Sequence, residues 1–257
     1  MKKWKIGIGC GLVLLPLLLL AQEKTTSKSR VGFEFGGNVF FGEAIVPDQV
    51  RTSKSVYEYE DFFCGISASD QVLENLYGGI KYESFFWKDR LGLAVGLRFS
   101  QFSAEINTDW DRKYFIWLFR QNETTTDYLT LQSIKQKNYY LGIPLEFRYL
   151  PKRRDSFFKQ YLKLGANVNY RLSTINSIAF YDPAMSKYAG AVGAEIGKPS
   201  LFNAWIYPAY GFKFGKMKNV WFNMEIDFPG LLIGEKSHPL FRADAGMGMQ
   251  ISVQIPL

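Results

Sequence analysis

The stretch KNYYLGIPLEFRYL, residues 137–150, decides how the rest of the chain is read. Tyr139, Leu141, Ile143, Leu145, Phe147 and Tyr149 recur at every second position, with Gly142, Glu146 and Arg148 between them. Successive side chains of a strand point to opposite faces, so this is a strand with one apolar and one polar face. After the basic turn Pro151-Lys-Arg-Arg-Asp155 the pattern restarts, with Leu162, Leu164, Ala166, Val168 and Tyr170 set against Lys163, Gly165, Asn167, Asn169 and Arg171. The apolar face carries no charge along its whole length. Repeated down a chain, that means an apolar exterior around a polar interior, the arrangement of a membrane barrel.

The repetition is present in both directions. Toward the N-terminus, Leu91, Leu93, Val95, Leu97 and Phe99 alternate with Gly92, Ala94, Gly96, Arg98 and Ser100. Residues 76–87 place Ile80, Tyr82 and Phe86 opposite Lys81 and Glu83, and residues 31–41 place Val31, Phe33, Phe35, Val39 and Phe41 opposite Glu34 and Asn38. Toward the C-terminus, strands are expected over 205–215, 220–228 and 241–257. The last puts Phe241, Ala243, Ala245 and Met247 outward and Arg242 and Asp244 inward. The fold class is therefore all-β, a closed antiparallel transmembrane barrel of eight strands in up-and-down order, spanning residues 31–257. Short turns alternate with long outer loops near 42–73, 103–136 and 173–203, the rhythm of bacterial outer-membrane barrels. Residues 103–136 read as a hairpin extending two neighbouring strands beyond the bilayer. The competing reading makes Tyr114–Phe119 and Tyr128–Leu131 two further membrane strands, ten in all. Pro144 and Pro208 each remove a ladder donor, so bulges or distortion are expected there.

Lys2, Lys3 and Lys5 precede an apolar run from Ile6 to Leu20 that ends at Ala21, which predicts a cleaved signal peptide over 1–21 and a polar linker over 22–30. Its removal lowers the formal charge from +7 to +4 by those three lysines. So small an excess, without a patch interleaved with stacking aromatics, argues against nucleic acid. Cys64 is then the only thiol and His238 the only imidazole, which leaves no cysteine zinc site, no metal and no cofactor to expect. Although 47% of residues are hydrophobic, no later run is long enough for a membrane helix.

The polar faces gather Lys81, Arg98, Arg148, Lys163, Arg171, Lys213 and Arg242 against Glu34, Glu83, Glu146, Glu225, Asp227 and Asp244. Charges in a narrow lumen are costly unless paired, so near-cancellation predicts a salt-bridged plug. Inward glycines, Gly165 and Gly211 among them, are expected to leave room for these long side chains. Tyr114, Phe115, Trp117 and Phe119 form a candidate partner surface. Basic turns, including Lys88 and Arg90, suit anionic headgroups. Glu235, Ser237 and His238 share one loop, but adjacent strand residues point apart, so no catalytic residue is assigned.

The signal ending LLLLAQ, the segment from Tyr140 to Tyr149, the segment YLKLGANVNY from Tyr161 to Tyr170, and the alternating C-terminal strand together resemble the PorT-like outer-membrane β-barrel proteins of Bacteroidota. The resemblance implies residence in the cell outer membrane among its lipid and lipopolysaccharide, and a link to type IX secretion. Together these features predict a non-enzymatic structural or protein-interaction module, with a protein partner on the outer loops or basic turns. A narrow diffusion channel for small solutes is the first alternative and a lipid-active enzyme the second.

Overall fold

The computed structural model describes residues 29–45, 47–52, 73–107, 115–120, 122, 125–151, 156–215, 220–234 and 238–257. The expected signal peptide, Tyr114, Cys64, Glu235 and Ser237 lie outside these residues, as does most of the expected linker. Ten strands form one antiparallel sheet: β1 Arg30–Ala44, β2 Val50–Thr52, β3 Leu73–Phe86, β4 Leu91–Asn107, β5 Phe115–Arg120, β6 Thr126–Tyr149, β7 Phe158–Phe180, β8 Phe202–Phe214, β9 Trp221–Ile233 and β10 Phe241–Pro256. β6 pairs with both β4 and β7, and β1 with both β3 and β10, so β1, β3, β4, β6, β7, β8, β9 and β10 close into a ring of eight. The short strands β2 and β5 lie outside that ring, β5 on the upper part of β6 and β2 on β5.

β4 pairs with β6 directly, from Leu91 opposite Tyr149 up to Asn107 opposite Ser133, and β5 then continues along β6 to Arg120 opposite Thr126. Among the described residues, 103–107, 115–120 and 125–136 therefore form a hairpin extension, and no further strand enters between β4 and β6. The expected loop 173–203 is largely ordered structure. β7 runs on to Phe180 and is followed by a 3-10 turn, Pro183–Tyr188, and a short helix α1, Ala189–Glu195. Asp182 caps the turn by accepting a hydrogen bond from the Ala184 N–H at 2.9 Å.

Local irregularities decide which face several residues occupy. Phe41 pairs with Ala245 but Gly42 with Ala243, so Asp244 has no partner and β10 slips by one residue. A one-residue slip exchanges the faces of a strand. Phe241 is accordingly buried and Arg242 exposed, the reverse of the expected register. A second bulge opposes Tyr139–Tyr140 to Arg171–Ser173 on β7. The third lies on β9 opposite Pro208, where Ile206 faces Leu231 and Ala209 faces Asp227. Pro208 thus sits in the expected distortion. At Pro144 the β4–β6 ladder is broken between Val95–Leu145 and Arg98–Gly142 without a change of register.

Inside the ring, aromatic residues cover glycines. Tyr207 lies opposite Gly165, and Tyr161 opposite Gly211 on the same strand pair. A Cβ at Gly165 would stand 2.4 Å from the Tyr207 ring, and one at Gly211 2.2 Å from the Tyr161 ring. These glycines make room for rings rather than for the charged side chains, which reach in from other positions.

Candidate functional site

The interior of the ring holds the chain's unusual chemistry. Glu34, Lys81, Glu83, Arg98, Glu146, Arg148, Lys163, Lys213, Glu225 and Asp227 are all buried there, as the alternation of their strands requires. Glu146 on β6 is the centre. It takes Lys81 Nζ at 2.8 Å, Arg98 Nη2 at 3.1 Å, Lys163 Nζ at 3.3 Å and a hydrogen bond from the Tyr207 hydroxyl at 2.8 Å. Glu34 on β1 takes Arg98 Nε at 2.7 Å and Lys81 Nζ at 3.1 Å. Below this, Arg148 bridges Glu83 at 3.1 Å and Glu225 at 3.0 Å, and Glu225 also pairs with Lys163. Tyr161 donates to Glu225 at 2.6 Å, and Gln254 donates to Glu83 at 2.5 Å.

The network extends over the aromatic rings that cover the glycines. The guanidinium of Arg98 lies 4.2 Å from the Tyr77 ring, that of Arg148 4.2 Å from Tyr161, and Lys163 Nζ 5.0 Å from Tyr207. Each cation has a π face as well as a carboxylate. At one end Arg30 and Lys213 pack on Trp221, at 3.6 and 4.1 Å, and Phe85, Leu150, Tyr161 and Trp221 form a small apolar layer below the charges.

At the other end the charges give way to amides and then to an apolar core. Asn167 donates to Asn169 and Asn169 to Asn203, at 2.6 and 2.7 Å. Gln136 donates to the Gly197 carbonyl at 3.0 Å, and Asn176 to the Gly193 carbonyl at 2.6 Å. These bonds seat the α1 segment against the mouth of the ring. Val192 and Ile196 enter a core with Phe40, Phe102, Trp117, Leu129, Ile134 and Trp205. The charged layer is therefore enclosed by packed side chains above and below.

Two expected members, Arg171 and Arg242, do not join the network. Arg171 faces inward near the mouth, but its Nη1 donates to the Pro199 carbonyl instead of pairing with a carboxylate. Arg242, turned outward by the slip in β10, pairs with the equally exposed Glu43 at 2.6 Å. The side chain of Asp244 lies outside the described residues. Trp117, expected on a partner surface, is fully buried, and Phe119 packs on Tyr188 with ring centroids 5.6 Å apart. β5 turns its apolar side into the outer core, so Trp117 is not available to a partner. The side chain of Phe115 is not among those described.

His238 is also buried, its Nδ1 accepting the Leu240 N–H at 3.2 Å, and burial pushes its pKa down to about 4. Arg30 and Lys159 are interior residues that strand alternation and turn composition alone do not place there. Arg30 falls within the expected linker, yet its place two residues before Gly32 and four before Glu34 puts it on the same inward face.

No protein-family model matches the chain, and no curated protein is significantly similar to it. Among solved structures, the outer membrane protein OprG from Pseudomonas aeruginosa is similar over 90% of this chain and 94% of its own, with 12% sequence identity and a TM-score of 0.39. A similarity that distant fixes neither a family nor an activity.

Proposed function

We propose that the chain is an outer-membrane β-barrel with a closed interior, acting as a structural or protein-interaction module. The observation that carries this reading is the inversion of the ring. Apolar side chains such as Phe33, Phe35, Ile80, Leu97, Leu141, Ile143, Leu164, Ile206, Met224, Ile226 and Ile251 are exposed around its circumference, while the charges are inside. A protein in water rarely leaves so continuous an apolar surface uncovered.

On β6 the outward apolar face runs from Tyr139 to Tyr149. Ten residues at about 3.3 Å each, tilted by roughly 40°, span about 25 Å, the height of the apolar band of such barrels. Above Tyr139, which stacks on Phe99, the same face turns polar with the Lys135–Glu105 pair. Trp87, exposed at the opposite end, suits the other interface. Outer-membrane lipid and lipopolysaccharide are then the immediate surroundings, and a protein partner would meet the outer hairpin and the α1 segment, where Tyr128 and Tyr181 are exposed.

The packed layers on both sides of the charges favour a barrel that does not conduct, and the burial of the sole imidazole favours a role other than catalysis. A place beside type IX secretion rests on the sequence resemblance to PorT-like barrels alone. The test is mature protein refolded in detergent, checked for heat-modifiable migration on a gel and then studied in planar bilayers. Folded protein without steady conductance is expected; ion-dependent openings would overturn the closed reading and promote the channel.

A further inference from the structure

We propose that the outer edge of β7, from Thr174 to Ile178, takes up an extended segment of a partner protein as an added strand. Below this level β7 is paired on both sides, with β6 and with β8. The β8 ladder stops at Tyr170 opposite Phe202, and its last bond runs from the Arg171 N–H to the Leu201 carbonyl. The β6 ladder continues up to Phe180 opposite Leu131. The Tyr181 N–H reaches the Thr130 carbonyl, so by alternation along the strand the N–H and C=O groups of Thr174, Asn176 and Ile178 point away from β6. Among the described residues these groups have no backbone partner.

The chain returning from α1 is drawn into the mouth instead of running along this edge. Ile196 is buried, Gln136 Nε2 donates to the Gly197 carbonyl, and Arg171 donates to the Pro199 carbonyl. α1 itself meets the inward side-chain face of β7. Asn176 donates to the Gly193 carbonyl, and a Cβ at Gly193 would lie 3.4 Å from that of Asn176. The outward flank carries Leu172 and Ile175, both exposed. Residues 172–180, LSTINSIAF, hold no charge and no proline. Natural edges are guarded by such residues, and an unguarded one is a template for another strand.

The chemistry of the edge selects its occupant. Alternate residues present a donor and an acceptor at a repeat of about 6.6–6.8 Å, which an extended peptide matches rung for rung and a lipid or sugar does not. Ser173 lies opposite Tyr139, the top of the outward apolar face of β6, so the edge stands clear of the apolar band. A second copy does not fit. Antiparallel pairing of two such edges puts the two-fold axis across the barrel wall, and parallel pairing puts it along the tilted strand. Neither leaves both barrels upright in one membrane. The added segment is therefore another protein's, with apolar residues at alternate positions to lie beside Leu172 and Ile175. This assignment rests on the interaction-module reading above and gives it a surface.

Mature protein is refolded into lipid nanodiscs and used to select from a phage-displayed library of random linear peptides, with empty nanodiscs as the counter-selection. Peptides with apolar residues at alternate positions are expected to be enriched. In their complexes the amides of residues 174, 176 and 178 should exchange with solvent about tenfold more slowly than in the free protein. Thr174→Pro and Ile178→Pro, which remove edge donors without touching the β6 ladder, should each weaken binding about tenfold. Thr174→Val is the control: it loses the hydroxyl bond to Asn138 but keeps the N–H, and should bind as wild type does. N-methylation of the peptide at every second residue should abolish binding in one phase and spare it in the other, a readout that needs no protein variant. No enrichment over empty nanodiscs, or binding indifferent to both N-methylation phases, would overturn the proposal. So would a dimer that protects the same amides without peptide. Either failure leaves the closed barrel standing, whereas conductance from the same sample would remove the closed reading and leave the edge as it is.

Discussion

Glu146 concentrates the interior energetics in one side chain, because Lys81, Arg98 and Lys163 all converge on it within 3.3 Å. Removing one partner of a buried pair leaves the others charged and desolvated, at a cost of about 3–5 kcal/mol. Glu146→Gln should lower stability by that amount in urea unfolding from micelles, and adding Lys163→Met should recover part of it. The Arg242–Glu43 pair is a useful contrast, since both side chains are mostly exposed. Arg242→Ala should change stability by less than about 1 kcal/mol. His238 supplies a pH effect of defined sign. Buried and neutral, with its pKa lowered to about 4, it binds a proton in the unfolded chain before it does so in the folded one. Its contribution is complete above the unfolded pKa of about 6.5 and is lost as pH falls toward 4, at about 1.4 kcal/mol per unit. Urea midpoints of wild type and His238→Gln, compared between pH 7 and pH 5, should converge as the acid limit is approached. Parallel curves would mean that His238 is accessible to protons in the folded state.

At the scale of single elements, the glycines and tight turns carry the local constraints. Gly211→Ala places a methyl against the Tyr161 ring and should cost about 1–3 kcal/mol, whereas Gly190→Ala, in open space on α1, should gain up to about 1 kcal/mol from helix propensity. The β3–β4 turn holds Trp87, Lys88 and Asp89 at φ of 47°, 59° and 60°. Lysine has no local advantage in that left-handed region, so Lys88→Gly should raise the unfolding free energy measured in urea by roughly 0.5–1 kcal/mol. A fall would mean that the Lys88 side chain contributes more than its backbone strain removes. The same elements explain what could be read in the sequence. Unbroken alternation over Leu91–Ser100 and Tyr139–Tyr149 shows where two strands lie and which charges point inward, but not that β4 continues to Asn107 or that β6 begins at Thr126. Bulges carry no such signal, because one unpaired residue at Asp244 reverses every face beyond it, so plain alternation puts Phe241 and Arg242 on the wrong sides. The α1 segment, AGAVGAE, is too short and too small in its side chains to show a helical stripe, so its sequence reads as loop. Trp117 lay in a continuous apolar run, where periodicity cannot tell an exposed patch from a buried edge.

The strand count belongs to the whole molecule, and one pair of residues decides it. In the ring of eight, β4 and β6 are neighbours and Phe99 lies directly opposite Leu141, both on the outward face. Were residues 114–119 and 128–131 membrane strands instead, two strands would separate those positions. At about 4.8 Å per strand the gap would then be roughly 14 Å. A disulfide needs Cβ atoms about 3.5–4.5 Å apart, so it can form only in the first case. Phe99→Cys with Leu141→Cys, in a Cys64→Ser background, should therefore cross-link on mild oxidation of refolded protein. Peptide mapping would show the 99–141 bond, and reduction would release it. Leu97→Cys with Phe147→Cys is the control: both side chains face outward, but Phe147 is opposite Leu93, four residues from Leu97, and no bond should form. A cross-link at 99–141 without one at 97–147 establishes both the adjacency and the register. Its absence from protein shown to be folded would admit the extra strands, widen the ring, and remove the reason for the charged interior to be packed shut.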